Sequence, residues 1–123
     1  MREIGRFVAR LELIADEMDR LLCEEPSLGG RRGYATFSAW RGPEAEDAVR
    51  HAENIRRRFD ALATEGRHLS GEACRFLRSE GIDTSSPELD ELERQWNGVP
   101  TPTQLAAYCR AIAASYRAKA MLL

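Results

Sequence analysis

Residues 45–77 read AEDAVRHAENIRRRFDALATEGRHLSGEACRFL, and their spacing decides the fold. Alternate steps of three and four pick out Ala45, Ala48, Ala52, Ile55, Phe59, Leu62, Gly66, Leu69, Ala73 and Phe76. An alternation held for so long is the heptad seam of a helix that lies along other helices. Pro43 suits a first helical turn, where its missing N–H costs nothing. Glu44, Glu46 and Asp47 place negative charge at the N-terminal end and Arg75 and Arg78 place positive charge at the other, as the helix dipole favours. Gly81 stops the helix, with Ile82 set for the apolar contact of a Schellman ending. The spacing therefore predicts one helix over about residues 43–80, about 57 Å long at about 1.5 Å per residue. Gly66 and Gly71 each cost up to about 1 kcal/mol relative to alanine. Because the seam keeps its phase through both, a continuous or merely bent helix is expected, with everything else packed against it.

On the N-terminal side, Ile4, Phe7, Val8, Leu11, Ile14, Met18, Leu21 and Leu22 recur at helical spacing and form one broad apolar face. This predicts a helix from about Arg2 to Cys23, supported by Asp16 four residues ahead of Arg20 and ended by Pro26. On the C-terminal side, Ser86-Pro87-Glu88 is a helix start: a cap residue, then proline, then acid. That short helix carries Leu89, Leu92 and Trp96 on one side and ends by Asn97-Gly98. Thr101-Pro102-Thr103-Gln104 is a capping box, and the helix it opens has Leu105, Cys109, Ile112 and Tyr116 as its stripe. Strand signals are nearly absent. The expected fold is all-α: a four-helix, bundle-like single domain over residues 1–123.

Composition bounds the rest. Apolar content of 43% and charged content of 31% suit a soluble globular domain, and no apolar run reaches the length of about 18 to 20 residues that spans a bilayer. No targeting segment is visible at the N-terminus. Cys23, Cys74 and Cys109 are odd in number, form no close pair and sit in or beside apolar stripes. Buried reduced thiols and a cytoplasmic home are the expectation. A net charge of −2 argues against a whole-domain attraction to nucleic acid.

Motifs for chemistry do not assemble. Glu65-Gly66-Arg67-His68 has the Glu-x-x-His spacing of carboxylate-bridged di-iron bundles, but those need two copies and two more glutamates. Asp47 and His51 lie one turn apart, yet two ligands do not make a metal site. No nucleophile has a base arrangement, and Gly29, Gly30 and Gly33 follow no strand as a phosphate cradle would. The chain is read as a non-enzyme with no cofactor, no metal and no small-molecule substrate in evidence.

The run Arg56-Arg57-Arg58 points in three directions on a helix, so it is not one patch. Arg50 and Arg57 share an outer face and are the candidate nucleic-acid backbone contacts, with Glu46 and Glu53 as their expected i,i+4 partners. The connection over residues 27–42 is the stronger lead, being longer than the usual two to about eight residues of a bundle hairpin. Arg31, Arg32 and Arg41 interleave there with Tyr34, Phe37 and Trp40 and meet no acid. Arginine with aromatics makes interface hot spots and also single-strand nucleic-acid sites. The same three aromatics, at steps of three, could instead fold as a short helical turn over the end of the bundle.

Trp40-Arg41-Gly42, between an N-terminal helix and a long one, resembles the Trp-x-Gly turn of small secreted helical hairpins. The resemblance covers residues 1 to 80 at most and rests on two fixed residues. It departs where a glycine-rich loop precedes the turn, where two further helices follow, and where the family's C-terminal Tyr-x-x-x-acid signal is lacking at Tyr108 and Tyr116. The leading expectation is a cytoplasmic interaction or adaptor module, part of a larger assembly or a homo-oligomer. A helical subunit touching nucleic-acid backbone through arginines is second, and a secreted hairpin third.

Overall fold

The computed structural model describes residues 2–25, 43–96 and 98–123. Among the described residues four helices run in order: α1 (Arg2–Glu24), α2 (Pro43–Ser79), α3 (Pro87–Arg94) and α4 (Pro102–Ala120). No strand occurs among the described residues, and none of the helices is long and apolar enough to cross a membrane. The all-α expectation holds for the four described helices, with α3 ending at Arg94, short of Trp96.

The expected local signals operate. α2 is continuous for 37 residues through both Gly66 and Gly71. At its end Gly81 takes φ +80°, the Ile82 N–H donates to the Leu77 carbonyl at 3.0 Å, and the Gly81 N–H donates to the Arg78 carbonyl at 3.0 Å. Those two bonds complete the Schellman motif and satisfy carbonyls that the helix leaves open. Ser86 caps α3 by accepting from the Leu89 N–H at 3.4 Å. At α4 the Thr101 hydroxyl accepts from the Gln104 N–H at 3.2 Å, while the Gln104 side chain accepts from the Thr101 N–H at 2.9 Å. Both halves of the capping box are therefore closed.

Packing gives the centre to a different helix from the one the sequence put there. α1 contributes Ile4, Val8, Leu11, Ile14, Ala15, Met18 and Leu21 to the buried core, and both α2 and α4 pack on it. α2 and α4 touch one another less, and α3 leans on α4. The physical reason is stripe width. The α2 seam, one apolar residue every 3.5, is narrow and serves one main neighbour. The α1 face is broad enough for two. Ala52, Ile55, Phe59 and Ala73 of the α2 seam are buried, Leu62, Leu69 and Phe76 half-buried, and Leu77 is wholly covered. All four helices feed one apolar cluster.

Polar side-chain pairs at the edges of this core mark the register. Arg10–Glu65, Glu17–Arg58 and Glu24–His51 advance along α1 and retreat along α2 by one heptad each time. The two helices are thus antiparallel, and α2 continues for two turns beyond the last of these pairs. Arg117 with Glu12, and Arg110 with Asp16 and Asp19, do the same between α4 and α1. Since α2 and α4 both oppose α1, they run parallel to one another.

Candidate functional site

Of the residues singled out as an interface, Arg31, Arg32, Tyr34, Phe37, Trp40 and Arg41 lie outside the described residues, as does the aromatic turn expected there. Arg50 and Arg57 are described, and both lie on the exposed outer face of α2. Arg50 donates to Asp47 at 3.3 Å rather than pairing with Glu46. Arg57 makes no ion pair among the described residues, with Glu53 or otherwise. Its neighbours in the arginine run are diverted: Arg56 lies 3.5 Å from Asp60, and Arg58 reaches across to Glu17 at 3.2 Å. The run does not form one positive patch, as the helical geometry requires.

The other sequence candidates are dispersed. Glu65 is held by Arg10 through two bonds, Nε to Oε1 at 2.7 Å and Nη2 to Oε2 at 2.9 Å, which turns it away from any work with His68. That guanidinium also holds the Glu65 carboxyl below its ordinary range, chiefly by hydrogen bonding. His51 and His68 are exposed, each near one glutamate, and no group of three metal-ligating side chains occurs among the described residues. Asp16 pairs with Arg110 of α4 rather than with Arg20, which takes Glu17. Of the thiols, Cys109 is buried and Cys74 half-buried, while Cys23 is exposed. The α1 stripe ends with Leu21 and Leu22, and Cys23 falls just beyond its edge.

The structure adds a feature that sequence reading missed. α2 and α4 diverge enough to leave a cavity of about 370 Å³ between them. Ala63, Gly66 and Ser70 of α2 form one wall, Leu105 and Ile112 of α4 the facing wall, and Met18 of α1 the floor. Trp96 and Pro100, from the connection between α3 and α4, close one side. The Trp96 ring meets Tyr108 edge-on, with centroids 5.1 Å apart at 68°. Such a pair is a favoured arrangement of the two ring quadrupoles. The Tyr108 hydroxyl donates to Glu93 of α3, and burial, with help from that carboxylate, raises the phenol's pKa above its ordinary value.

Two further groups set the character of this cavity. Cys109 lies at its base, its Sγ donating to the Leu11 carbonyl at 3.7 Å, and burial pushes the thiol up to about 11. A thiol that stays protonated in this way is a packing group, not a nucleophile. Arg67 is at the mouth, exposed, with no acid paired to it among the described residues. The sequence signal that could have found the cavity is the row Ala63, Gly66, Ser70. Three small residues on one flank of a helix leave a trough unless the neighbour comes close enough to fill it.

A second hollow, also about 370 Å³, lies where α2, the α2–α3 connection and α4 meet. It is more polar. Cys74 and Arg78 both donate to the Thr84 hydroxyl, at 3.4 and 3.0 Å, so its donors and acceptors already serve one another. Lys119 closes the same corner by donating to the carbonyls of Asp83 and Ser85 at 2.8 and 2.7 Å. Comparison of the chain with protein-family models, with curated proteins and with solved structures finds no match.

Proposed function

We propose that this chain is a small non-enzymatic α-helical interaction or adaptor module, working as a subunit of a larger assembly in the cytoplasm. Its working surface is residues 27–42 together with the adjoining flank of α2. The observation that carries this reading is the register of the ion pairs. α1 ends with Glu24 beside His51, so the turns of α2 from Pro43 to Arg50 run on past it, and in sequence they directly follow the arginine- and aromatic-bearing segment. Tyr34, Phe37 and Trp40, close ahead of this prolonged helix in sequence, are side chains of the kind that dominate binding energy at protein interfaces. Three free cysteines fit a reducing compartment.

The secreted-hairpin reading is less well supported. α1 shares its buried face between α2 and α4, so a hairpin of α1 and α2 alone would leave apolar surface bare. The nucleic-acid reading is supported by Arg57, exposed, without an ion pair among the described residues, and seven residues from Arg50. The two are separated by salt. Phosphate contacts weaken steeply as salt rises, while an aromatic-anchored protein interface changes little. The test is affinity capture with the tagged chain, repeated with Trp40→Ala. The expected result is an unchanged melting curve and a loss of partner affinity of about thirtyfold, the equivalent of about 2 kcal/mol. A collapsed melting point, with the loss of binding explained by unfolding, would overturn the reading.

A further inference from the structure

We propose that the cavity between α2 and α4 is a binding site for a small hydrophobic monocarboxylate, its apolar body held between the helices and its carboxylate on Arg67. The inference is independent of the interaction surface above, since it uses no residue of 27–42.

Four observations converge on it. The volume, about 370 Å³, falls in the range of about 300–1,000 Å³ that ligand pockets occupy. The lining is mostly aliphatic and aromatic, with Met18 as floor and the Trp96–Tyr108 pair as a rigid side. Gly66 lines the α2 wall without a side chain, in a direction that faces Cys109 Sγ and Ile14 Cγ2. Among the described residues, Arg67 is the one cation at the mouth and has no ion pair. The acid nearest to Arg67 in sequence, Glu65, is engaged by Arg10, and Glu93 is engaged by the hydroxyl of the cavity residue Tyr108. Arg110, which follows the cavity residue Cys109, is held by Asp16 and Asp19.

Those facts select the ligand class. An apolar lining of this size takes an apolar body of modest length, and one unpaired guanidinium takes one carboxylate, for which its fork of donors is the matching shape. The Ser70 hydroxyl on the same wall is engaged with Tyr116, which leaves Arg67 as the group that meets the carboxylate. A peptide helix is a poor fit, because Trp96 and Pro100 block the cavity at one side. A dianion or a neutral lipid is equally mismatched to a single cation.

The probe is decanoate, below its micellar concentration, titrated calorimetrically beside decanol, which has the same chain without the charge. Chemical shifts of the Gly66 amide and the Trp96 indole report the location. Saturable decanoate binding is expected, about tenfold or more tighter than decanol, with shifts centred on those two groups. Arg67→Gln, an exposed change that leaves the fold intact, should lower decanoate affinity to that of decanol and leave decanol unaltered. Ala63→Leu should weaken both ligands with an unchanged melting curve. No saturable binding, equal binding of decanoate and decanol, insensitivity to Arg67→Gln, or shifts away from Gly66 and Trp96 would each overturn the proposal.

Discussion

Replacing Gly66 with alanine should stabilise the protein, although Gly66 lies where three helices meet. A glycine inside a helix is about 0.8–1.0 kcal/mol less favourable than alanine, because it gives up more backbone freedom on folding. Core crowding usually forbids recovering that cost, but here it does not. A Cβ built on Gly66 would stand 3.7 Å from Cys109 Sγ and 3.7 Å from Ile14 Cγ2, both ordinary contacts. The added methyl therefore meets two neighbours without pushing either, and burying it contributes up to about 0.8 kcal/mol more. Gly71 is the internal control. Its Cβ would meet nothing within 4 Å, so Gly71→Ala should contribute the backbone term alone, about 1 kcal/mol. The expected order is Gly66→Ala above Gly71→Ala above the parent, with gains of about 1.5–2 and about 1 kcal/mol. Urea titration with an unchanged m-value measures it, and melting should rise by about 3–5 °C per kcal/mol in a chain of this size. A Gly66→Ala protein less stable than the parent would refute the reasoning, since α1, α2 and α4 would then pack more tightly than the distances allow.

Other perturbations have equally definite outcomes. Phe59 is wholly buried, so Phe59→Ala should cost about 3–5 kcal/mol in denaturant titration, and a loss under about 1 kcal/mol would mean the α2 seam is not core. Thr101→Ala opens the capping box and should cost about 1 kcal/mol, read as a lower urea midpoint. Burial raises the Cys109 thiol to about 11, whereas in the unfolded chain it ionises near the ordinary cysteine value of about 8.5. Unfolding then releases a proton at alkaline pH, so stability is intact below about pH 8.5, declines through the window up to about 11, and loses up to about 3 kcal/mol from this group. Urea midpoints taken across that window should flatten in Cys109→Ala while keeping the part due to tyrosines. An identical slope in the variant would remove the thiol from the account.

What could be read from the sequence divides along physical lines. Signals that act within a few residues were legible: Ser86-Pro87 and Thr101 to Gln104 as helix starts, Gly81-Ile82 as a stop. So was the seam, whose phase carries α2 unbroken through Gly66. Signals that depend on which helix comes to rest beside which were not. Asp16 looked like a partner for Arg20 and is instead claimed by Arg110, because an inter-helix pair is created by packing and leaves no local pattern. The same holds for α1 as the central helix, which follows from stripe width only once two neighbours compete for it. The cavity beside Gly66 is the difference between the shapes of three elements. The candidate interface residues Arg31, Arg32, Tyr34, Phe37, Trp40 and Arg41 are legible in the sequence alone, since they lie outside the described residues.

The pairing of α1 with α4 also bears on how the molecule reaches this state. Helical bundles usually fold quickly because their contacts are local in sequence. Here the helix at the centre takes one of its two neighbours from the far end of the chain: the Arg110–Asp16 bond spans 94 residues. During synthesis α1 emerges first, and half of its apolar face waits for α4 while α2 and α3 are still being made. At synthesis rates of about 5–20 residues per second that interval is several seconds, ample for a bare apolar face to find the wrong company. Closing so large a loop costs entropy that only the finished three-helix contact returns. The folding transition state should therefore be an ordered α1–α2 pair with α4 arriving last, and the cavity between α2 and α4 forms at that final step.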